Sequence, residues 1–182
     1  MIEIDLENTY EIDKINKDLS ACTFYTEIKN GNKVELHISI LKNPDEHLKG
    51  IYNLAFGPLN KEGEIDDKVI VEHLNIQKVF STVLMIAITF LELNKEKKYK
   101  IGIDGSNDTR AYLYHRMFKK NYKMFSEFLI IGGADWYVKL LRYKNDIERD
   151  SEGYPYFKPI LETFDLHKKS TELYRYYYFE LK

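Results

Sequence analysis

The chain has 182 residues, 27 of them basic and 29 acidic, for a formal net charge of −2. No global field draws such a chain to nucleic acid or to an anionic membrane, and both are disfavoured as partners. Aromatic residues make up 14%, with fifteen Tyr and ten Phe, which favours sheet with a large buried aromatic area; the length suits one domain over 1–182.

The first eighteen residues are acidic and mixed, and read as a short helix or strand. "MIEIDLENTY" has no apolar h-region, so no signal peptide is expected. The one cysteine, Cys22, excludes an internal disulfide and fits a reducing cytoplasm, the expected location. It reads as a small buried strand residue rather than a nucleophile.

"ACTFYTEIK" (21–29) and "KVELHISILK" (33–42) flank "NGN", whose Asn and Gly tolerate the positive φ of a hairpin turn. Val34, Leu36, Ile38 and Ile40 alternate with Glu35, His37 and Ser39, the period of a strand with one face in the core and His37 on the exposed face. "GIYNLAFG" (50–57) is the third strand of a β-meander over 20–57, followed by the loop "NKEGEIDDK". "VIVEHL" (69–74) reads as a short strand or the approach to a helix.

From Asn75 the period becomes helical. Val79, Val83, Ile86 and Phe90 recur beside Phe80, Leu84, Ala87 and Leu91, predicting a helix over 75–93 packed deep against a sheet. The thirteen-residue apolar run 79–91 is too short to span a bilayer. Strand 99–104, helix 107–120 and strand 127–132 follow. "ADWYVKLLRYK" is ambiguous between strand and helix, "ILETFDLHKKS" (160–170) reads as a short helix, and "ELYRYYYFELK" as a terminal strand with alternate Tyr and Phe buried. The class is α/β (α+β): an antiparallel meander, then helix–strand–helix–strand on a mixed central sheet, then an aromatic-rich part over 133–182.

The block from helix 75–93 through strand 127–132 resembles the second half of the GCN5-related N-acetyltransferase fold, in which a strand feeds a pyrophosphate-binding helix and a later Asn turn leads into a helix carrying "LY". Here Asn107 precedes Leu113-Tyr114, and "MFKKNY" stands where the last strands would begin. The resemblance implies acetyl-CoA as cofactor, with Gln77, Lys78 and Asn107 as its binding residues. It also implies Tyr114 as the acid that protonates the leaving thiolate. The family's Gln/Arg-x-x-Gly-x-Gly/Ala pattern falls on Gln77 to Thr82, with Phe80 and Thr82 in the glycine places. A helix start that cradles phosphate needs close backbone approach, so acetyl-CoA binding is in doubt.

The patterns "YNLAFG" (52–57), "IDD" (65–67), Lys78 to Val83 and Gly105 to Tyr114 also resemble an uncharacterised family of small Bacteroidota-type bacterial proteins. That likeness implies no activity.

Each candidate has a plainer reading. Tyr114 can pack its ring on the sheet with its OH at the rim, and Asn107 is a good helix N-cap. Glu72 and His73, just before the first helix, are the candidate bases, with Asp66 and Asp67 next. Arg110, His115 and Arg116, with Lys119 and Lys120 beyond, form either a solvated face or a docking surface for an acidic group. The five histidines lack metal-ligand spacing, so no metal is expected. Walker, GxSxG, HExxH and CxxC motifs are absent from the sequence.

Two functional expectations follow. One is a bacterial protein on an acetyltransferase-like scaffold with altered or lost cofactor chemistry, acting through a protein partner or homodimer in a defence or toxin–antitoxin module. The other is an active acyl-CoA-dependent N-acyltransferase on an amine, with Tyr114 as acid and Glu72 or His73 as base.

Overall fold

The computed structural model describes residues 2–66, 69, 71–105, 107–141 and 146–182. One eight-stranded mixed sheet forms the centre, in the order β1-β2-β3-β4-β5-β10-β6-β9. Strands β1 (Ile12–Ile15), β2 (Ala21–Glu27), β3 (Lys33–Lys42) and β4 (Ile51–Gly57) make the antiparallel meander. Gly31, at φ 84°, closes the β2–β3 hairpin in a conformation that favours glycine. Leu36, Ile38 and Ile40 of β3 are buried as the alternation requires, while His37 is half-buried and 3.5 Å from Glu35.

Helix α1 (Ile76–Leu93) connects β4 to β5 (Lys100–Asp104), which lies parallel to β4. By length and composition α1 could cross a bilayer, but 61% of it is buried within the protein. Its apolar residues cover most of the helix circumference, and here they form core. Helix α2 (Asp108–Phe125) leads to β6 (Leu129–Val138). It runs past residue 120 because Asn121 and Phe125 continue its buried stripe, so "MFKKNY" is helical. Both helices pack on the same sheet face, where Phe118 meets Phe125, Tyr177 and Phe179.

"ADWYV" extends β6, and β7 (Leu140–Leu141) pairs with β8 (Asp146–Ile147). The helix expected over 160–170 is instead the edge strand β9 (Phe157–Thr163), antiparallel to β6, followed by turns. Strand β10 (Tyr176–Leu181) inserts between β5 and β6 and is antiparallel to both. Being central, it is covered on both faces, so Tyr176 to Phe179 are buried consecutively rather than alternately. Tyr177 and Phe179 face the helices. The side chains of Tyr176 and Tyr178 lie across Gly102 and Gly132, where an added Cβ would come within 1.9 Å of the Tyr176 hydroxyl and 2.2 Å of the Tyr178 ring. Those glycines make room for tyrosines on the neighbouring strand.

Residues 2–10 cross the two helices without regular structure before β1. Asn121 Oδ1 accepts from the Ile4 N–H at 2.9 Å and its amide donates to the Ile2 carbonyl at 3.1 Å. On α1, Ser81 Oγ accepts from the Asp5 N–H and Thr82 Oγ1 from the Tyr10 N–H, at 3.0 and 2.8 Å. Cys22 is buried, which pushes its thiol up to about 11.

Candidate functional site

The parallel β4–β5 ladder is short. It pairs Ile51 with Lys100, Tyr52 with Ile101 and Asn53 with Gly102, then stops. Beyond that point β4 follows β3 and β5 follows β10. Where they part lies a cavity of about 220 Å³, roofed by α1 and α2. Its apolar wall includes Leu54, Phe56, Phe80 and Leu113. Its polar groups are Asp66, His73, Asp104, Arg110 and Tyr114.

His73 is held there by backbone. The segment before α1 is stitched to the end of β2: the Lys29 N–H donates to the Glu72 carbonyl, the Leu74 N–H donates to the Glu27 carbonyl, and Ile28 bridges His73. Its Nδ1 is buried with no hydrogen-bond partner, and burial lowers its pKa below the ordinary 6.5. A neutral imidazole at the cavity wall can accept a proton. Tyr114 enters from α2, buried, with its ring 6.4 Å from Phe80 and 6.3 Å from Tyr177.

The other sequence candidates are dispersed. Glu72 points outward and lies 3.8 Å from Lys29. Asn107 caps α2, its Oδ1 accepting from the Arg110 N–H at 2.9 Å. Gln77 and Lys78 lie in a different groove, between the start of α1 and residues 3–8, which carries Glu3, Asp5 and Glu7. The Lys78 ammonium sits 4.8 Å above the Tyr10 ring. Asp67 lies outside the described residues. The structure therefore brings together His73, Tyr114 and Asp66, and leaves Glu72, Gln77, Lys78 and Asn107 apart from them.

The geometry explains the residues in the glycine places. Residues 77–82 are already helical, with Asn75 Oδ1 capping the Lys78 N–H at 3.0 Å. Phe80 walls the cavity against Phe56 and Tyr114, and Thr82 holds the backbone of Tyr10. This stretch is a helical turn that binds the chain's own N-terminal segment beside three carboxylates. These residues do not fit the pyrophosphate of acetyl-CoA.

Sequence reasoning missed Asp104 and placed Arg110 on the basic face of its helix, whereas it lines this cavity. The signal available was Asp104's position at the end of the strand before the Asn turn. Among the described residues there is no cluster of three or more His, Cys, Asp or Glu that could hold a metal.

A family of unknown function, DUF6934, matches residues 6–150. The chain belongs to that family. No curated protein and no solved structure matches it. The match spans the meander, α1, β5, α2 and β6, so the cavity walls from β3, β4, β5, α1 and α2 all lie within the family's region.

Proposed function

We propose that the protein is an acetyltransferase-like scaffold that keeps a cavity where acyl transfer would occur but does not accept the nucleotide end of acyl-CoA. On this reading it binds a compact acyl- or amide-bearing ligand between β4 and β5. The single observation that supports it most is the convergence of His73 and Tyr114 on the cavity at the point where β4 and β5 part. A neutral imidazole can take a proton from a bound amine, and a phenol can donate a hydrogen bond to a carbonyl or a leaving group. The volume, small beside the roughly 300–1,000 Å³ of ordinary ligand sites, favours a short ligand. The three carboxylates at the start of α1 oppose a pyrophosphate.

Calorimetric titration of acetyl-CoA and of acetylpantetheine, which lacks the nucleotide, tests this reading in wild type and in Leu113→Trp and Lys78→Glu variants. The expected result is heat from the compact thioester that Leu113→Trp abolishes and Lys78→Glu leaves unchanged. Tight acetyl-CoA binding lost in Lys78→Glu would overturn it in favour of an ordinary acyltransferase. Silence from both ligands would overturn it in favour of partner binding.

One observation favours that second reading. Leu140, Tyr154, Phe157 and Ile160 are all exposed on or near the edge strand β9, and exposed aromatic and apolar groups of this kind mark protein interfaces. Sedimentation at rising concentration, comparing wild type with Phe157→Lys, reads self-association through this edge directly.

A further inference from the structure

The side of α2 turned away from the β4–β5 cavity faces the segment that leads into β10, and between them lies a second pocket of about 540 Å³. Tyr112, His115, Arg116, Lys119 and Lys120 form one wall, and Lys168 stands on the other. Its volume falls within the range of small-molecule sites.

Two independent observations converge here. The first is uncompensated charge. Among the described residues, Arg116, Lys119 and Lys120 make no ion pair; Arg116 donates to the Tyr112 hydroxyl and lies over that ring. Lys168 does have carboxylate partners, Asp135 at 2.6 Å and Glu162 at 3.5 Å, and its ammonium sits 3.7 Å above the Tyr174 ring. It is therefore a fixed wall of the pocket.

The second is His115. It is only 5% exposed, yet both ring nitrogens are buried without a hydrogen-bond partner. Its ring packs 5.0 Å from Phe164. A neutral imidazole carries one donor and one acceptor, and native interiors rarely leave such groups unmet. A solvated basic face would account for the lysines but not for a histidine buried with both ring nitrogens unmet.

We propose that this pocket binds a phosphorylated small molecule, one phosphate oxygen accepting the imidazole N–H of His115 and the charge being neutralised by Arg116, Lys119 and Lys120. Phosphate suits the site better than a carboxylate because three cations without ion-pair partners line the same pocket as this buried donor, opposed by one nearby carboxylate, Asp165, and charge-assisted bonds to phosphate are strong. The half-exposed Tyr112 ring stands at the rim, where the rest of the ligand would lie. Both ring nitrogens of His115 are buried in the free protein, so the ligand reaches its N–H only when side chains lining the pocket move aside.

Inorganic pyrophosphate and ADP, titrated by calorimetry at low salt, are the probes. The variants are Lys119→Glu/Lys120→Glu, at exposed positions that leave the fold intact, and His115→Leu. Both probes are expected to bind wild type, at least tenfold more weakly in the double charge reversal and several-fold more weakly in His115→Leu. In proton NMR, the ring signal missing from His115→Leu is expected to move on titration while those of His37, His47 and His167 stay put. No binding by either probe, equal binding in both variants, or an unmoved His115 signal would each overturn the proposal.

Discussion

Helix α2 borders two pockets, and they are built in different ways. Its Arg110–Leu113–Tyr114 side closes a small, mostly apolar cavity whose existence follows from backbone: two parallel strands pair for three residues and then separate. Its Tyr112–His115–Lys119 side borders a larger pocket defined by side-chain charge and by one histidine without partners. The first would survive many substitutions, because strand divergence makes it. The character of the second depends on a few side chains, so reversing two of its charges is expected to weaken whatever anion it holds.

Substitutions can break or sharpen that contrast. The largest effect is expected from Phe118→Ala. Phe118 is fully buried beneath both sides of α2, against Phe125, Phe164, Tyr177 and Phe179. Its truncation should cost about 3–5 kcal/mol in urea denaturation and abolish ligand effects at both sites. If only one site fails, the two are less mechanically joined than the packing indicates.

Asn121→Leu comes next. It strips partners from the Ile4 N–H and the Ile2 carbonyl, for a loss of about 2–3 kcal/mol. The Ile4 amide should exchange faster with solvent while the pocket at His115 keeps its shape. Any new acetyl-CoA affinity in this variant would show that the N-terminal segment is what shuts the start of α1.

His115→Leu, in contrast, should leave stability at neutral pH unchanged or raise it by about 1 kcal/mol, since it deletes two unmet polar atoms. Tyr114→Phe should change stability by less than about 1 kcal/mol and be read in ligand binding at the first cavity alone.

The smallest effect concerns pH. His73 and His115 are both held below the ordinary 6.5, His73 by burial and His115 by burial first, then by Lys119 and Lys168 against the opposing pull of Asp165. Between the folded and unfolded pKa values the unfolded chain binds more protons, so stability is full above pH 6.5 and falls as pH drops through the folded values. Chemical denaturation from pH 7.5 to 5 should show that slope, and His115→Leu should flatten it in part. An unchanged slope would assign it to His73.

Much of the scaffold is legible in the residues. The β2–β3 hairpin follows from "NGN" and strict alternation, α1 from helical spacing, and the start of α2 from its Asn cap at 107. Segment 160–170 reads as a helix because "ILETF" has no strand alternation of its own. Residues 160–163 instead fall in β9, which pairs with the edge of β6, a tertiary effect that overrides local preference. At the candidate site, His73 and Tyr114 could be singled out as types capable of acid–base chemistry. Nothing local distinguished His73, which lines the cavity, from its neighbour Glu72, which points to solvent. That choice is made by the bonds of residues 72–74 to the end of β2. Phe80 and Thr82 were legible as departures from a glycine pattern, but not as a cavity wall and an anchor for residues 2–10.

By itself the sequence determined which segments bury a face and with what period, because hydrophobic spacing and capping act over a few neighbouring residues. Only the tertiary structure decided where β4 and β5 part, which side chains reach the resulting cavity, and that β10 lies between β5 and β6 with its tyrosines over glycines 102 and 132. Those outcomes depend on contacts between residues dozens of positions apart, whose cost and benefit no local pattern records.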